Sequence, residues 1–370
     1  MCDSASLLSA SFDTIARTLY DKGYAFALYR LPHQTKPVCV IDTAEQATWV
    51  KSPSELTTQS GFVLAPFCFP SQPARLVKAD HLFFDSQEAL TIVHTLPART
   101  RPQSKVITIS REEDDFDNYA KAFERFMAVL TVGRFQKLVL SRSSWTALPK
   151  DLTPGMLFRR ACAAHPHAAV TLTWTAETGL WLGATPEILV TQTQAQCQTM
   201  ALAGTMPCDD PAPWSAKNQH EQGLVANMIL DVLKRHAQSI DEKGPYTVTA
   251  GPVKHLRTDF QFTLRAGHTL GHVVEALHPT PAVCGLPMPE AATFIEEAEG
   301  RHRELYAGFL GPVQIQDSTA LFVNLRCLTL YPEQSLVRLH AGGGLLPASQ
   351  LQSEWTETNI KMQTLRRLFE

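Results

Sequence analysis

Short apolar runs separated by turn-forming residues dominate the chain, and few stretches show helical spacing. Residues 1–95 alternate runs such as AFALYRLP, VCVIDT and FVLAPFCFP with Pro-rich and Ser-rich breaks, which predicts strands and turns. Further strands are predicted at KLVLSRSS, AAVTLTW, GLWLGA, EILVTQ, CQTMALAG and YTVTAG. Near the end of the chain, ALFVNLRCLTLY and SLVRLHAG are separated by PEQ and predict a hairpin.

Helical spacing is confined to a few segments. Apolar residues three and four apart predict a helix that ends at Gly133: Phe116, Tyr119, Phe123, Phe126 and Met127. Other helices are predicted over about 217–238, at LPMPEAATFIEEAEG, and over about 350–368. Residues 96–105 resemble a linker or a long loop. Because strands and helices do not alternate, we expect an α+β fold with large antiparallel sheets rather than a doubly wound parallel sheet.

Composition limits the classes of function. The chain has 370 residues, of which 44% are hydrophobic and 19% charged, as in globular proteins. Its formal net charge of −3 offers no basic excess for nucleic acid or an anionic membrane surface. We see no transmembrane run and no signal peptide, so we expect a cytoplasmic protein. The eight cysteines form no C-x-x-C pair, which favours buried free thiols over a zinc site.

Carboxylates fall on the apolar faces of two predicted helices. Glu221 shares a helical stripe with Val225 and Ile229, and Glu357 shares one with Lys361. Glu354 lies three residues before Glu357. Such acids can complement a helix N-terminus, or Glu357 can simply pair with Lys361. Carboxylates from separate helices also suit Mg²⁺, which prefers oxygen ligands.

The glycine-rich run LHAGGGLLP does not match a phosphate-binding loop. No GxGxxG precedes a helix, and no GxxxxGK[ST] occurs. We therefore expect a tight turn at this run, with a close approach of the backbone to another group.

Ten motifs occur in an order that resembles the chorismate-utilising enzymes, and among them the isochorismate synthases. The motifs are KLVLSR, GATPEILV, LAGT, KNQHE, HLRT, HPTPAVCGLP, LYAGFLGP, NLRC, AGGGLLPAS and EWTETNIK. The resemblance covers roughly 115–370. It implies two large antiparallel β-sheets with helices packed outside, in one compact domain overall. Residues 1–100 are then the variable N-terminal part of the fold, and 101–370 the chorismate-binding catalytic region.

The resemblance also implies an acid and a base. Forming isochorismate adds water at ring C2 while the C4 hydroxyl leaves, so a base must activate water and an acid must protonate the leaving oxygen. Lys137 matches the family's base, which requires loss of its proton near neutral pH. Glu187 matches the acid, which requires a raised pKa. Without the resemblance, Lys137 reads as a solvated lysine at the end of a strand.

Further positions match the family's ligand-binding residues. Glu221 and Glu357 match direct ligands of Mg²⁺, and Glu354 an acid that holds the ion through water. The positions matching substrate-binding residues are Gly204, His255, Ala282, Tyr306, Arg326, Gly342 and Lys361. The alternative for His255 is a hydrogen-bonded core histidine. The chain departs from the family at Asn218, where an acid is frequent, and at Gly343, where Ala is common.

Three residues bear on which family reaction is catalysed. Aminodeoxychorismate synthases carry a nucleophilic lysine at the position of Ala203, and anthranilate synthases generally have Gln at that of Lys137. Salicylate synthases, which also eliminate pyruvate, usually carry Thr at the position of Ala282. We therefore expect an isomerase that stops at isochorismate, with a salicylate synthase or an ammonia-using subunit of the anthranilate or aminodeoxychorismate type as the alternatives.

Other classes of function remain open. A non-catalytic metabolite-binding protein would be expected to lack Lys137 or Glu187, and both are present. We expect a monomer that binds chorismate and Mg²⁺ and needs no glutaminase subunit. Isochorismate feeds both menaquinone and siderophore biosynthesis, and we expect the menaquinone type.

Overall fold

Two antiparallel sheets of nine strands each form the body of the molecule in the computed structural model, which describes residues 4–100, 115–250 and 253–370. The strands are β1 (Ala25–Arg30), β2 (Val38–Asp42), β3 (Thr48–Val50), β4 (Gly61–Ala65), β5 (Ala74–Lys78), β6 (His81–Phe83), β7 (Lys137–Ala147), β8 (Ala169–Thr175), β9 (Gly179–Thr185), β10 (Ile188–Thr193), β11 (Gln196–Pro207), β12 (Ala237–Ala250), β13 (Val253–Leu264), β14 (Gly285–Leu286), β15 (Phe309–Val313), β16 (Ser318–Val323), β17 (Cys327–Tyr331) and β18 (Leu336–Leu345). The first sheet has the order β14-β7-β18-β17-β9-β8-β1-β2-β6, and the second has the order β12-β13-β11-β10-β16-β15-β4-β5-β3.

Helices pack against both sheets. They are α1 (Ser4–Lys22), α2 (Ser86–Thr95), α3 (Phe116–Thr131), α4 (Pro154–Ala164), α5 (Ala216–His236), α6 (Leu270–Leu277), α7 (Met288–Glu299) and α8 (Leu351–Arg366). The described residues also form short 3₁₀ helices at Pro53–Thr57, Pro332–Gln334 and Arg367–Phe369. None of the described helices is both long and apolar enough to cross a membrane. The predicted α+β class with two large antiparallel sheets is confirmed.

Two hydrophobic cores explain why strands of the first sheet have apolar residues at successive positions in the sequence. Side chains of both sheets meet in the larger core, which includes Ala27 and Tyr29 from β1. The other face of β1 places Phe26 and Leu28 in a second core, with side chains of α1, α2 and α4. A strand buried on both faces reads as an apolar run without alternation.

The N-terminal hundred residues differ from the prediction of strands and turns alone. The helices α1 and α2 lie there, and their polar faces hide the helical period among Ser, Thr and Asp residues. Strands from this part enter both sheets. The linker predicted over 96–105 lies partly outside the described residues, and the division at residue 100 stays a prediction.

The hairpin predicted near the C-terminus is half correct. The strands β17 and β18 pair across Pro332–Gln334 as expected. The run ALFVNLRCLTLY, predicted as one strand, is instead two, with β16 in the second sheet and β17 in the first. The break falls at residues 324–326, where Arg326 has φ +48°. A positive φ cannot continue an extended strand.

Candidate active site

Two of the points at which the chain passes from one sheet to the other are neighbours, one between β9 and β10 and one between β16 and β17. Backbone hydrogen bonds join the two crossings. The Val323 N–H donates to the Glu187 carbonyl at 3.0 Å, and the Ala184 N–H donates to the Arg326 carbonyl at 3.0 Å. The predicted acid, Glu187, and the predicted carboxylate-binding Arg326 are therefore held on adjacent, mutually bonded segments.

A cleft beside the crossings brings the predicted residues together. Glu187 and Glu221 line it, and so does every predicted substrate-binding residue. These residues are Gly204, His255, Ala282, Tyr306, Arg326, Gly342 and Lys361. Lys137 and Glu357 form ion pairs with two lining residues, Glu221 and Lys361. Glu354 pairs instead with Lys217, which lies four residues before Glu221 on α5. The structure thus places all the predicted site residues around one cleft, and the roles given to them stay predictions.

Burial controls the charge of Glu187. The side chain is 3% exposed, and desolvation raises the pKa of its carboxyl to about 8, although Lys137, Arg326 and Lys361 act in the opposite direction. The carboxyl therefore carries its proton at neutral pH. A carboxylic acid held in this state can donate to a leaving oxygen.

His255 connects Arg326 to the backbone of β11. Nη2 of Arg326 contacts Nε2 of His255 at 3.0 Å, and Nδ1 of His255 lies 2.9 Å from the carbonyl oxygen of Gly204. Nη1 of Arg326 is buried and has no hydrogen-bond partner among the described residues. Burial also lowers the pKa of the Arg326 guanidinium from its ordinary value. A buried guanidinium nitrogen without a partner is costly, and an anionic ligand would satisfy it.

Lys137 begins β7 and is completely buried. Its Nζ lies 2.9 Å from Oε1 of Glu221, which comes from the second turn of α5. Gly344 of β18 makes room for this pair, because a Cβ at that position would overlap Oε1 of Glu221 and come within 3.0 Å of Cε of Lys137. The predicted base and a predicted metal ligand are thus in direct contact.

The other two predicted metal ligands are paired with lysines as well. Nζ of Lys361 lies 2.6 Å from Glu357 and also donates to the Gly342 carbonyl at 2.9 Å. Nζ of Lys217 lies 2.6 Å from Oε1 of Glu354. Burial alone would lower the pKa of Lys217. The negative charge of Glu354, with smaller contributions from Glu221 and Glu357, raises that pKa above its ordinary value. Sequence reasoning missed Lys217, although it lies four residues before Glu221 on the same helical stripe.

The three carboxylates suit Mg²⁺ in their donor chemistry. Burial and the neighbouring Glu357 raise the pKa of Glu354. Its Oε2 is buried beside Ser349 and has no well-formed hydrogen bond with any described residue. Such an oxygen needs a proton or a cation. No three acidic, histidine or cysteine side chains of the described residues are grouped as a metal site. The three carboxylates therefore match Mg²⁺ in donor type, and in this structure each one is paired with a lysine.

The glycine-rich run is a strand rather than the predicted turn. Gly342, Gly343 and Gly344 lie in β18, paired with β7 along their length. The expected close approach is present, because a Cβ on Gly342 would come within 2.8 Å of the Tyr306 hydroxyl. His340 of the same strand also lines the cleft and stacks on Tyr306, with ring centroids 5.7 Å apart. Sequence reasoning did not single out His340, since no motif marks it.

The cysteines show the predicted free state. The described cysteines are all unbridged, and Cys39, Cys197, Cys284 and Cys327 are buried. Cys2 lies outside the described residues. Burial raises the pKa of the buried thiols, for example to about 11 for Cys197, which keeps them protonated and unreactive.

Comparisons with known proteins agree with this geometry. The family model described as "Chorismate binding enzyme" matches residues 72–370. The isochorismate synthase EntC of Escherichia coli K12 is 28% identical over 73% of this chain and 71% of that protein. Two solved structures share the fold. A putative 2,3-dihydroxybenzoate-specific isochorismate synthase, DhbC, of Bacillus anthracis has a TM-score of 0.77 at 22% identity, over 96% of this chain and 98% of its own. MenF, the menaquinone-specific isochorismate synthase of E. coli, has a TM-score of 0.74 at 21% identity, over 100% of this chain and 91% of its own.

The family match covers both crossings and every residue of the cleft described above. The chain therefore belongs to the family of chorismate-binding enzymes.

Proposed function

We propose that this protein is an isochorismate synthase, an isomerase that adds water at C2 of the chorismate ring and releases the C4 hydroxyl as water. One observation carries the proposal: the cleft combines Glu187, which holds its proton at neutral pH, with the buried Lys137 and the unpartnered Nη1 of Arg326. The names of EntC, DhbC and MenF support the same activity.

The two reacting side chains have complementary tasks. Glu187 donates its proton to the C4 oxygen as the C–O bond breaks. Lys137 takes a proton from the water whose oxygen bonds to C2. One water enters and one leaves, so the product is an isomer of the substrate. Lys137 then releases its proton to solvent and Glu187 takes one up, which returns both to their starting states.

Substrate carboxylates have a cationic binding surface. We assign one carboxylate to Arg326, whose free nitrogen and planar fork suit it, with the Tyr306 hydroxyl and Lys361 beside the cleft as further donors. Gly204 and Gly342 allow the ring to approach the backbone. Ala282 leaves its position without a hydroxyl, in keeping with a reaction that ends at isochorismate.

Mg²⁺ is part of the proposal. Glu221 and Glu357 would hold the ion directly, and Glu354 through water. When bound, the ion supplies a positive charge and a Lewis acid for a carboxylate of the substrate. Because Glu221 also pairs with Lys137, the residues proposed for metal binding and for base catalysis depend on each other.

The proposal extends to the partners and the pathway of the enzyme. Lys137 and Ala203 speak against an ammonia-using subunit, so we infer an enzyme that acts without a glutaminase, and as a monomer. The unbridged cysteines fit the reducing cytosol.

We propose the menaquinone route, which would be tested by complementing separate E. coli strains that lack their menaquinone-specific synthase or EntC. Growth restored only in the EntC-deficient strain would assign the siderophore route instead.

The test of the activity is product analysis. Purified protein is incubated with chorismate and Mg²⁺ without ammonia, and the products are separated by chromatography. We expect isochorismate without pyruvate, and no product from Lys137→Ala or after chelation. Salicylate with pyruvate would show that Ala282 does not limit the reaction. Turnover only with added ammonia would refute water as the nucleophile.

A further inference from the structure

A second cavity, of about 310 Å³, shares β7 with the catalytic cleft but has no lining residue in common with it. It lies between the exposed side of α3, residues 140–142 of β7 and the turn that follows α7. The function proposed above does not use this cavity.

The cavity carries an excess of positive charge. Four cations line it: Lys121, Arg125, Arg142 and Arg301. The one carboxylate among the described lining residues, Glu299, is already engaged. Nη2 and Nε of Arg303 contact its two oxygens at 2.6 and 2.9 Å, and the Ser141 N–H donates to it at 2.8 Å. Burial would raise the pKa of Glu299, but Arg303 outweighs that effect and lowers it, so the carboxylate favours its charged form and is paired with Arg303.

One face of α3 points its polar groups into this space. Asn118, Lys121 and Arg125 line the cavity and are three and four residues apart, which places them on one side of the helix. Between them, Tyr119 is 4% exposed and lines the cavity too. Its hydroxyl has no hydrogen-bond partner among the described residues. A buried hydroxyl without a partner is unfavourable unless a ligand supplies the contact.

Lys121 and Arg125 retain donors for a ligand. Arg125 uses Nη2 on the carbonyl of Ala298 at 2.8 Å, and Lys121 is only 3.5 Å from Asn118 Oδ1 on its own helix. Arg142 is held firmly, because its guanidinium stacks 3.7 Å above the Trp355 ring of α8 and its Nε donates to Thr358 at 2.8 Å. The cavity therefore combines one arginine in a fixed position, Arg142, with two exposed cationic side chains, Lys121 and Arg125, that can move to contact an anion.

We propose that this cavity binds a small oxyanion of charge −2 or more, such as phosphate or a tricarboxylate. Glu299 is compensated by Arg303, so two negative charges on a ligand would offset part of the charge of the four lining cations. The ligand oxygens would accept from the Tyr119 hydroxyl and the Arg125 guanidinium. The site rests on its own geometry and not on the function proposed for the cleft.

Isothermal titration with inorganic phosphate at constant ionic strength tests the proposal. The catalytic cleft also contains cations, so Arg326→Gln is titrated beside the unaltered protein. We expect one phosphate site that persists in Arg326→Gln and in Arg159→Gln, a matched change of an exposed arginine on α4. We expect Arg125→Gln to weaken it at least roughly fivefold, and Tyr119→Phe to weaken it less, since a neutral hydroxyl contributes less than a guanidinium.

Two results would overturn the proposal. One is equal phosphate affinity in Arg125→Gln and in the unaltered protein, and the other is loss of binding in Arg326→Gln alone, which would place the anion in the cleft. If Arg125→Gln fails to fold by circular dichroism, Lys121→Gln takes its place, because that side chain is exposed on the same face. Parallel titrations with citrate distinguish the two sources of anion: tighter binding of citrate identifies a carboxylate ligand, and tighter binding of phosphate identifies a phosphate ligand.

Discussion

The guanidinium of Arg326 donates a hydrogen bond to Nε2 of His255 at 3.0 Å, and this contact fixes the proton on the other ring nitrogen. Arginine can only donate, so Nε2 must accept and Nδ1 must carry the hydrogen that reaches the Gly204 carbonyl. Burial, reinforced by Arg326, lowers the pKa of His255 to about 3. His255 is therefore a neutral side chain that orients Arg326.

Replacement of His255 should impair substrate binding more than the chemical step. We expect His255→Leu to raise the KM for chorismate roughly tenfold with a smaller change in kcat, because Arg326 loses its orienting partner while Glu187 and Lys137 stay in place. His255→Gln, whose amide oxygen can accept from Arg326, should recover part of the affinity. NMR of ¹⁵N-labelled histidine should show a neutral ring protonated on Nδ1 between pH 5 and 8. A ring that titrates in that range would contradict this role.

The pH dependence of catalysis should report Glu187. Its acid form is present below a pKa of about 8 and is lost as the pH rises through that value. We therefore expect kcat/KM to fall with a limb near pH 8, and Glu187→Gln to lose about 10²–10⁴-fold in kcat. Rate profiles from pH 6 to 9.5 measure both. A profile that remains flat through pH 9.5 would exclude Glu187 as the group that must be protonated.

The same residue should limit stability. The unfolded chain ionises this carboxyl near its ordinary pKa of 4.5, whereas the folded protein retains the proton to about 8. The folded state therefore loses stability relative to the unfolded state as the pH rises between these values. Glu187→Gln removes that cost, and we expect it to raise the free energy of unfolding at pH 7 by on the order of 1–3 kcal/mol. Urea denaturation at pH 5 and pH 7 tests this, since the gain should shrink at the lower pH.

Sequence patterns located most of the site but not the features that assemble it. Glu221 and Glu357 could be placed on inward helical faces by spacing, and α5 and α8 bear out those helices. The roles of Lys137 and Glu187 came only from the family resemblance, because a single lysine or glutamate beside a strand has no periodic signal. Spacing within a helix cannot show that α5 and α8 meet.

The crossings between sheets were also beyond local reasoning. ALFVNLRCLTLY reads as one apolar strand, and only the positive φ of Arg326 and the pairing of β16 and β17 with different sheets reveal the break. Tertiary packing decides that break, since the neighbouring strands belong to separate sheets. The helix α1 was missed although Ile15 and Leu19, through which it packs, are four residues apart, the spacing of one helical face.

Adjacent glycines of β18 should respond differently to the same methyl group. A Cβ on Gly344 would overlap Glu221 Oε1, whereas a Cβ on Gly343 meets only Glu354 Oε2, at 3.2 Å. We expect Gly344→Ala to lower kcat/KM by at least about 10²-fold, because a small misplacement of reacting groups is costly. Gly343→Ala is the matched control and should stay within about threefold, since one side chain can shift by a few tenths of an ångström. Equal losses in the two variants would indicate a general effect on the strand.

Lys217 should determine how strongly Mg²⁺ stabilises the fold. Glu354 is 1% exposed and pairs with Lys217, so Lys217→Met leaves a buried carboxylate without its counter-charge. Removing one partner of a buried ion pair costs about 3–5 kcal/mol, and the cost here should lie below that range because the lysine side chain is 29% exposed. If the three carboxylates bind Mg²⁺, the ion restores positive charge beside Glu354. Thermal denaturation with and without Mg²⁺ should then show a larger rise in Tm for Lys217→Met than for the unaltered protein. Lys234→Met, an exposed change on the same helix, should match the unaltered protein. An equal rise in Tm for Lys217→Met and Lys234→Met would mean that Glu354 is not beside the bound ion.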